Sequence, residues 1–416
     1  MQNNTKKTNN IMKSIFKSLM LVAAAAAMLT QAGCEDRNVN DPQSDATPSI
    51  KYIRPTDPAL ADKLLESSPM GETIAIIGSG LEGVVEIFFN DVRAELNPTL
   101  VTEHSIICNV PAVMPTEITN TMTLKTGKGN ICVYDFAVDI PVPFITGTSC
   151  EWAKAGSEMT LYGSYLFPYE ESNTFDVTFP GGKTSQIKSF DSSSITVVVP
   201  DGALEGTISV EGEYGIGMTK FSYRESTGMF IDCENVAVWD GWSYSGAYVH
   251  DDEESIDGSY IELTGSAAAW NWNTSGLALF FNNVLEDGTS RQPLLPLDAD
   301  PAEYALKFEC RINAWSDLWA SMWFAGQYNT FSIDGEEAQY HWKPFADDSV
   351  VKGEWTTVTI PLSDFKVDKE ETVNDRTLSR GDMGNFYIFF FGGLADEANA
   401  GTPISVYIDN FRIVRQ

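Results

Sequence analysis

The sequence predicts an all-β protein built from three consecutive β-sandwiches, and three observations support this prediction. Short segments of alternating apolar and polar residues recur along the chain between Gly and Pro turns. Two stretches of similar pattern follow one another in the first half. After residue 228 the composition changes, because nine of the ten tryptophans lie in the last part of the chain.

Length and charge limit the function further. A chain of 416 residues exceeds what one hydrophobic core usually organises, so several domains are expected. The formal net charge is −31, from 58 acidic and 27 basic residues. Such a surface repels phosphate backbones, which argues against nucleic acid as a partner, whereas a neutral ligand is indifferent to it.

The first 33 residues have the pattern of a secretion signal. Four lysines precede an apolar stretch at 19–29, which is too short to span a bilayer comfortably. Small residues then stand directly before Cys34, and this arrangement resembles the lipobox of bacterial lipoproteins. The resemblance implies cleavage before Cys34 and diacylation of its thiol, and it predicts an outer-membrane lipid anchor. Residues 34–47 are polar and are predicted to form a flexible tether.

Five cysteines remain once Cys34 is assigned to lipidation. Their odd number and wide spacing argue against a disulfide framework or a zinc site. Buried, unpaired thiols are expected, although Cys108 and Cys132 could meet within one domain. The five are Cys108, Cys132, Cys150, Cys233 and Cys310.

Two similar segments define a repeat. Gly71 to Leu81 (GETIAIIGSGL) matches Gly156 to Leu166 (GSEMTLYGSYL), and each repeat later has a short strand that ends in Pro. This pattern resembles IPT/TIG domains, which are immunoglobulin-like. We call residues 48–141 the first sandwich and residues 142–227 the second sandwich. Neither contains a cluster of ionisable or aromatic groups, so both are expected to act as spacers.

Residues 228–416 form the predicted C-terminal sandwich. In its clearest strand, Tyr304 to Ile312, the apolar residues alternate with Lys307, Glu309 and Arg311. This alternation predicts one core face and one solvent face. Several such strands with no convincing long helix predict a two-sheet jelly roll that resembles a carbohydrate-binding module.

The stretch from Val238 to Asn273 carries the strongest functional signal. Its tryptophans stand among Gly, Ser, Asn and Asp rather than among the aliphatic residues of a buried strand. An aromatic ring can pack on the C–H face of a sugar, while nearby polar groups bind the hydroxyls. These rings are predicted to form a sugar platform, and a Trp-rich core is the alternative: Trp239, Trp242, Trp270 and Trp272.

Two further segments supply candidate rings. In an extended strand Trp319, Ser321 and Trp323 share one face, while Ala320, Met322 and Phe324 share the core face. Trp319 and Trp323 are therefore predicted to extend the platform, and the opposite assignment of the two faces, which would bury both rings, is the alternative. Trp342 in Tyr340-His341-Trp342 is another candidate, whereas Trp355 is expected to be structural.

Patterns for catalysis and cofactors are weak. The strand motif E-x-D-x-x-E of jelly-roll glucanases does not occur in the sequence, and the acidic clusters have the pattern of solvated loops. No cofactor is expected to be required. Glu234 near the first strand and Asp409 in the last could hold a structural calcium ion, with a hydrogen-bonded strand end as the alternative.

Taken in order, the lipobox Cys34, the tether, the IPT/TIG-like repeats and the Trp-rich sandwich resemble the surface glycan-binding proteins of polysaccharide-utilisation systems. The C-terminal domain is similar to the one named for xyloglucan binding. The resemblance implies a non-catalytic cell-surface protein that captures a β-glucan (xyloglucan, mixed-linkage or β-1,3-glucan) for a SusC/SusD-like porter and glycanases. The alternatives are a secreted glycoside hydrolase with a non-standard acid pair and a protein-binding adhesin.

Overall fold

A computed structural model describes residues 40–234, 247–266, 278–315, 320–326, 339–345, 350–366, 377–389 and 403–416. Within these ranges the regular elements are strands and short 3₁₀ turns, which confirms the all-β prediction. No helix in the described part is long and apolar enough to cross a membrane. The chain divides into two compact units, Met1–Pro141 and Val142–Gln416.

The first unit contains the first sandwich. Its described strands form a three-stranded sheet (β1-β3-β6), a four-stranded sheet (β5-β4-β7-β8) and a parallel pair (β2-β9). The bounds are β1 Ser49–Pro55, β2 Ser67–Pro69, β3 Thr73–Ser79, β4 Val84–Phe89, β5 Val92–Arg93, β6 Ser105–Asn109, β7 Thr121–Thr126, β8 Ile131–Asp135 and β9 Ala137–Asp139.

Residues 40–47, the described part of the predicted tether, are held against the first sandwich. Asp41 donates its N–H to the carbonyl of Glu82, and the Asn40 side chain donates to the carbonyl of Val84. Asn130 donates from its side chain to the carbonyls of Asp45 and Ala46. A polar segment that buries no apolar side chain can still be held by hydrogen bonds of its backbone to the edge of a sandwich. Residues 40–47 therefore belong to the first sandwich.

The second sandwich has two four-stranded sheets, β10-β11-β15-β14 and β13-β12-β16-β17. Its strands are β10 Phe144–Thr148, β11 Glu158–Ser164, β12 Asp176–Phe179, β13 Lys183–Thr184, β14 Gln186–Phe190, β15 Ser194–Val198, β16 Ser209–Gly212 and β17 Gly215–Met218.

The sequence repeat has a structural cause in a pair of glycines. Gly78 in β3 and Gly163 in β11 each lie opposite a bulge in the neighbouring strand. A Cβ atom on Gly78 would lie 1.9 Å from the Ser49 carbonyl oxygen, and one on Gly163 would lie 2.4 Å from that of Phe144. Only glycine allows the backbones to approach so closely, which explains why both repeats place it there.

The C-terminal sandwich consists of a six-stranded sheet (β19-β20-β27-β22-β25, with β18 also paired to β27) and a four-stranded sheet (β21-β26-β23-β24). Its core lies between them. The strands are β18 Met229–Ile231, β19 Ala247–His250, β20 Tyr260–Ser266, β21 Ala278–Phe281, β22 Tyr304–Ala314, β23 Ala320–Ala325, β24 Gln339–Trp342, β25 Trp355–Pro361, β26 Asn385–Phe389 and β27 Pro403–Arg415.

Three of the five described 3₁₀ turns begin with Asp-Pro or Asn-Pro. The side chains of Asp57, Asn97 and Asp300 each accept the N–H two residues onward, and the Pro supplies the first position of the turn. Pro needs no hydrogen bond for its nitrogen there and its φ is already suitable. The turns are Pro58–Leu60, Pro98–Leu100, Pro301–Glu303, Leu362–Asp364 and Arg380–Asp382.

The second and C-terminal sandwiches pack into one unit through a buried ion network. Arg412 of β27 is fully buried and binds Glu309 of β22 through two hydrogen bonds of 2.8 and 3.0 Å. Nη2, which makes the longer of these two bonds, also donates at 2.8 Å to Glu151 of the second sandwich. Lys307 also pairs with Glu151, so two cations face two carboxylates.

Main-chain contacts reinforce this junction. The Thr357 N–H donates to the carbonyl of Ser149 at 3.2 Å, and the Glu151 N–H donates to the Thr357 hydroxyl at 2.7 Å. Ile256 belongs to the hydrophobic core of the second sandwich, and Trp355 packs against that core. A connection and a strand of the C-terminal sandwich thus help to fill the core of its neighbour.

The junction corrects one interpretation of the sequence and adds to another. The apolar face of β22 is a core face as predicted, but the face with Lys307, Glu309 and Arg311 is not a solvent face, since Glu309 is fully buried under the second sandwich. The acidic loop 251–254 is exposed, yet the backbone carbonyls of Glu253 and Glu254 accept hydrogen bonds at the junction. Alternation predicts which residues share a face but not what covers it.

We predict that Arg412→Met destabilises the second unit by about 3–5 kcal/mol, because it leaves Glu309 buried without its cation and removes one of the two cations that face Glu151. Arg415→Met in the same strand is the control, since Arg415 is 70% exposed and its pairing with Glu303 contributes about 1 kcal/mol or less. Urea unfolding followed by tryptophan fluorescence measures this, because all ten tryptophans lie in the second unit. Equal midpoints for the two variants would contradict the prediction.

Candidate functional site

The strand ends of the C-terminal sandwich define the candidate site. Register places the end of β20 beside the start of β27 (Ser266 opposite Pro403) and the end of β26 beside the start of β21 (Phe389 opposite Ala278). In the same way the end of β24 lies beside the start of β23, and the last part of β22 lies beside the start of β25. The connections β20–β21, β22–β23, β24–β25 and β26–β27 therefore all start and finish at one end of the sandwich, which we call the loop end.

Most of the predicted platform residues lie outside the described residues: Trp239, Trp242, Trp270, Trp272 and Trp319, together with Cys34. The described residues on either side of them are informative. Ser266 and Ala278, which flank the segment with Trp270 and Trp272, both lie at the loop end. Ala320, directly after Trp319, and Ala247, at the start of β19, lie there too.

Strand β23 has the predicted faces but not the predicted exposure. Ala320, Met322 and Phe324 lie in the core between the sheets, and Trp323 points to the opposite side. Trp323 is nevertheless only 2% exposed. The prediction that its ring is open to a sugar is therefore wrong, because alternation assigns the side of a sheet without telling what packs on that side.

Trp342 is also not a platform ring. It is 4% exposed and lies in the hydrophobic core, with its ring 5.2 Å from that of Phe308 in an edge-to-face arrangement. The polar context of the sequence around it gave the wrong prediction. Trp315, which the sequence analysis did not select, packs edge-on to Trp342 at 5.7 Å, stays partly exposed, and lies directly after β22 at the loop end.

A row of aromatic side chains crosses the outer face of the four-stranded sheet. Phe280, Tyr387 and Trp323 are in register on neighbouring strands, and successive ring centroids are 5.3 Å apart. All three are buried. The sequence signal was present, since Tyr387 alternates with the core residues Phe386 and Ile388, but a run of apolar residues does not distinguish its two faces. The row is a small apolar cluster on the side of the sheet that faces away from the main core.

The carboxylates proposed for calcium make different contacts. Glu234 accepts the N–H of Ser259, while Asp409 is fully buried and accepts the N–H of Asn410 at 2.7 Å. No group of three or more His, Cys, Asp or Glu side chains in the described part is placed to hold a metal ion. Calcium takes six to eight oxygen ligands, so the donors described do not fit it. The calcium site stays a prediction.

Burial determines the charge state of Asp409 in this arrangement. Loss of water raises the pKa of its carboxyl well above the ordinary value of 3.8, and the nearby carboxylates of Glu309 and Glu234 raise it further. The other oxygen, Oδ2, has no hydrogen-bond partner among the described residues. Burial therefore favours the neutral form of Asp409 in the folded protein.

The five cysteines assigned to thiols are unpaired in the described structure. Cys108, Cys150, Cys233 and Cys310 are buried, and burial raises the pKa of Cys108 to about 12. Thiols with so high a pKa are poor nucleophiles at neutral pH. They act as small apolar residues in the cores.

A two-sheet β-sandwich whose connecting segments carry tryptophans at one end has the architecture of a carbohydrate-binding domain. Residues 223–415 match the model of the surface glycan-binding protein B xyloglucan binding domain. This part of the chain is similar to that domain family, and residues 62–137 match the model of the IPT/TIG domain. The resemblance found in the sequence is confirmed.

Two relatives extend the comparison. An IPT/TIG domain-containing protein from Bacteroides ovatus is 30% identical over 232 residues, which is 50% of this chain and 46% of that protein. The chain thus spans about half the length of this relative. The crystal structure of the surface glycan-binding protein PbSGBP-B from Prevotella bryantii has a TM-score of 0.69 at 26% identity, and the match covers 89% of this chain and 99% of that one.

We predict that Asp409→Asn raises the melting temperature at pH 8. In the unfolded chain the carboxyl ionises above 3.8, but in the folded protein it stays protonated to higher pH, so stability falls as pH rises between these two pKa values. An amide keeps the bond to Asn410 and needs no proton. Each kcal/mol of destabilisation that the substitution removes raises the melting temperature by about 2–4 °C.

Scanning calorimetry at pH 5 and pH 8 measures this difference, which should be larger at pH 8. Asp298→Asn, at an exposed position of the same sandwich, is the control and should change little at either pH. A lower melting temperature for Asp409→Asn, together with a loss of wild-type stability in EDTA, would instead indicate that Asp409 binds calcium.

Proposed function

We propose that this protein is a non-catalytic, cell-surface lipoprotein that binds a β-glucan polysaccharide through tryptophans at the loop end of its C-terminal sandwich. The binding residues in this proposal are Trp242, Trp270 and Trp272, with Trp239 and Trp319 beside them. Xyloglucan, mixed-linkage glucan and β-1,3-glucan are the ligands to test.

One observation carries the proposal. Five described residues that flank the tryptophan-bearing segments 235–246, 267–277 and 316–319 lie at the loop end, although these segments are far apart in the sequence: Ala247, Ser266, Ala278, Trp315 and Ala320. Glu234, which precedes 235–246, lies instead beside Ser259 at the start of β20. Rings contributed by separate connections can then serve one ligand. The match of residues 223–415 to a domain family named for xyloglucan binding supports the same ligand class.

The physical chemistry of sugar binding agrees with this site. A pyranose ring packs its C–H face on an aromatic ring, and each such contact contributes about 0.5–1.5 kcal/mol beyond the area that it buries. Several rings along a polymer therefore give modest affinity for a short oligosaccharide. A polysaccharide held at many sites on a cell surface is retained much more strongly, because each further binding event is intramolecular.

The rest of the chain fits a surface role. Cys34 would carry the lipid, and the first unit would hold the binding domain away from the membrane. The net charge of −31 repels anionic lipid headgroups and leaves a neutral glycan unaffected. In the same proposal, a SusC/SusD-like porter takes the captured glycan and separate glycanases cut it.

The anchor has its own test. Cys34→Ala should abolish incorporation of an alkyne-tagged fatty acid and release the protein from the outer-membrane fraction. Cys132→Ala, at a partly exposed cysteine of the first sandwich, is the matched control and should leave labelling unchanged. Labelling of the Cys34→Ala variant would contradict lipidation at this residue.

We predict that Trp270→Ala or Trp272→Ala abolishes retardation of the protein in gels that contain β-glucan, while the melting temperature changes little. Loss of a platform ring removes stacking energy from the complex but little stability from the folded protein. Phe144→Ala is the matched control, because Phe144 is an aromatic residue of the second sandwich that is 44% exposed. It should be retarded like the wild type.

Two other outcomes would contradict this function. A large fall in melting temperature for both tryptophan variants would show that these rings belong to the core, where loss of a Trp costs about 3–5 kcal/mol. Release of reducing sugar from any of the three glucans by the wild-type protein would show a hydrolase instead of a binding protein.

A further inference from the structure

A second concave surface lies between the second and C-terminal sandwiches, apart from the loop-end tryptophans. It is a cleft of about 400 Å³. Thr160 and Tyr162 of β11 and Thr196 of β15 line one side with their outward-facing side chains. Glu354 and Trp355, at the start of β25, line the other side. A cleft of this volume is within the range of small-ligand sites.

The side of the cleft that the second sandwich forms is rigid and rich in hydroxyl groups. Thr160 and Thr196 are directly paired on adjacent strands, and their hydroxyl oxygens are 3.0 Å apart. The Thr160 N–H donates to the Ser149 hydroxyl at 3.0 Å. Groups held on paired strands are better positioned to bind a ligand than groups on a loop.

An aromatic ring lies on each side of the cleft. Tyr162 is 46% exposed although it lies on a regular strand. Trp355 is partly exposed, and its orientation is fixed because its indole N–H donates at 2.8 Å to the Glu254 carbonyl. The ring of Tyr260 also packs edge-on against it at 5.9 Å. Fixed rings beside hydroxyl groups are the elements of a sugar site.

The charges of the cleft exclude other ligand classes. Its described lining holds two carboxylates, Glu158 and Glu354, and one ammonium group, Lys154, which already donates to the Glu253 carbonyl at 3.2 Å. An anion would meet net negative charge here and across the whole protein. An apolar ligand would strip water from the threonine hydroxyls without replacing their hydrogen bonds. A neutral, polyhydroxylated ligand suits the lining.

The cleft borders the β24–β25 connection, which starts and finishes at the loop end, because Glu354 lines it. Ile256, from the β19–β20 connection at the other end of the sandwich, lines it too. Trp355 begins β25, which starts at the loop end, and the turn before it is tied to β22 by the bond from the Gly353 N–H to the Ile312 carbonyl at 2.9 Å. A polymer bound at the loop end can therefore extend along the β24–β25 connection toward the second sandwich.

We propose that this junction cleft is a second glycan-binding subsite, which holds a neutral sugar unit of the polysaccharide bound at the loop end. The proposal rests on the proposed function and gives the second sandwich a direct part in it. The predicted role of that sandwich as a spacer is then incomplete, because Tyr162, Thr160 and Thr196 contact the ligand.

Calorimetry on the full chain with xyloglucan, mixed-linkage β-glucan and β-1,3-glucan tests the subsite. Tyr162→Ala removes the exposed ring, and Thr196→Lys fills the cleft from a strand position. Each should weaken polysaccharide binding by about 3- to 10-fold, the equivalent of one aromatic contact, with an unchanged melting temperature. Short oligosaccharides, which occupy the loop end alone, should bind both variants like the wild type.

Matched controls lie in the same sandwich outside the cleft. Phe144→Ala removes another exposed ring, and Thr178→Lys makes the same change on the outer face of the other sheet. Both should bind the polysaccharide normally. If Tyr162→Ala and Thr196→Lys also bind normally while Trp270→Ala does not, the subsite is refuted and the proposed function stands. If the wild type binds none of the three glucans, both proposals fail.

Discussion

The buried pairing of Arg412 with Glu309 and Glu151 is the interaction on which the second unit depends. The three side chains come from two sandwiches and from chain positions more than a hundred residues apart, and Lys307 beside them balances the charge where water is excluded. A buried charge is tolerated only with a well-placed partner, so the network requires the two sandwiches to dock in one arrangement. The threonine contacts around it then fix that arrangement.

This docking changes what the second sandwich can do. A flexible spacer could not form a binding surface together with its neighbour, because the two walls of a shared cleft must keep their separation. Here Ile256 fills the core of the second sandwich and Trp355 packs against it, so the walls are held as one body. The same contacts that stabilise the unit also create the cleft between Tyr162 and Trp355.

The loop end and the cleft are both proposed to bind sugar units, but different structural elements form them. In the proposed function, connections contribute rings at the loop end, where strands of both sheets of the C-terminal sandwich finish. Strands contribute the cleft, where Thr160 and Thr196 are fixed by sheet pairing. A long polymer gains from both, since a weak contact far from the first one raises retention without requiring a tight site anywhere.

The sequence by itself determined the local structure. Alternation identified the core faces of β22 and β23, and the repeated Gly78 and Gly163 marked two related sandwiches, because strand periodicity and close backbone approach depend on neighbouring residues. Composition also indicated a sugar-binding C-terminal domain. Only the tertiary structure decided that Trp323 and Trp342 are buried, that Glu309 lies under a second sandwich, and that residues 40–47 are bound rather than free. What covers a face depends on chain segments distant in sequence, which no local pattern encodes.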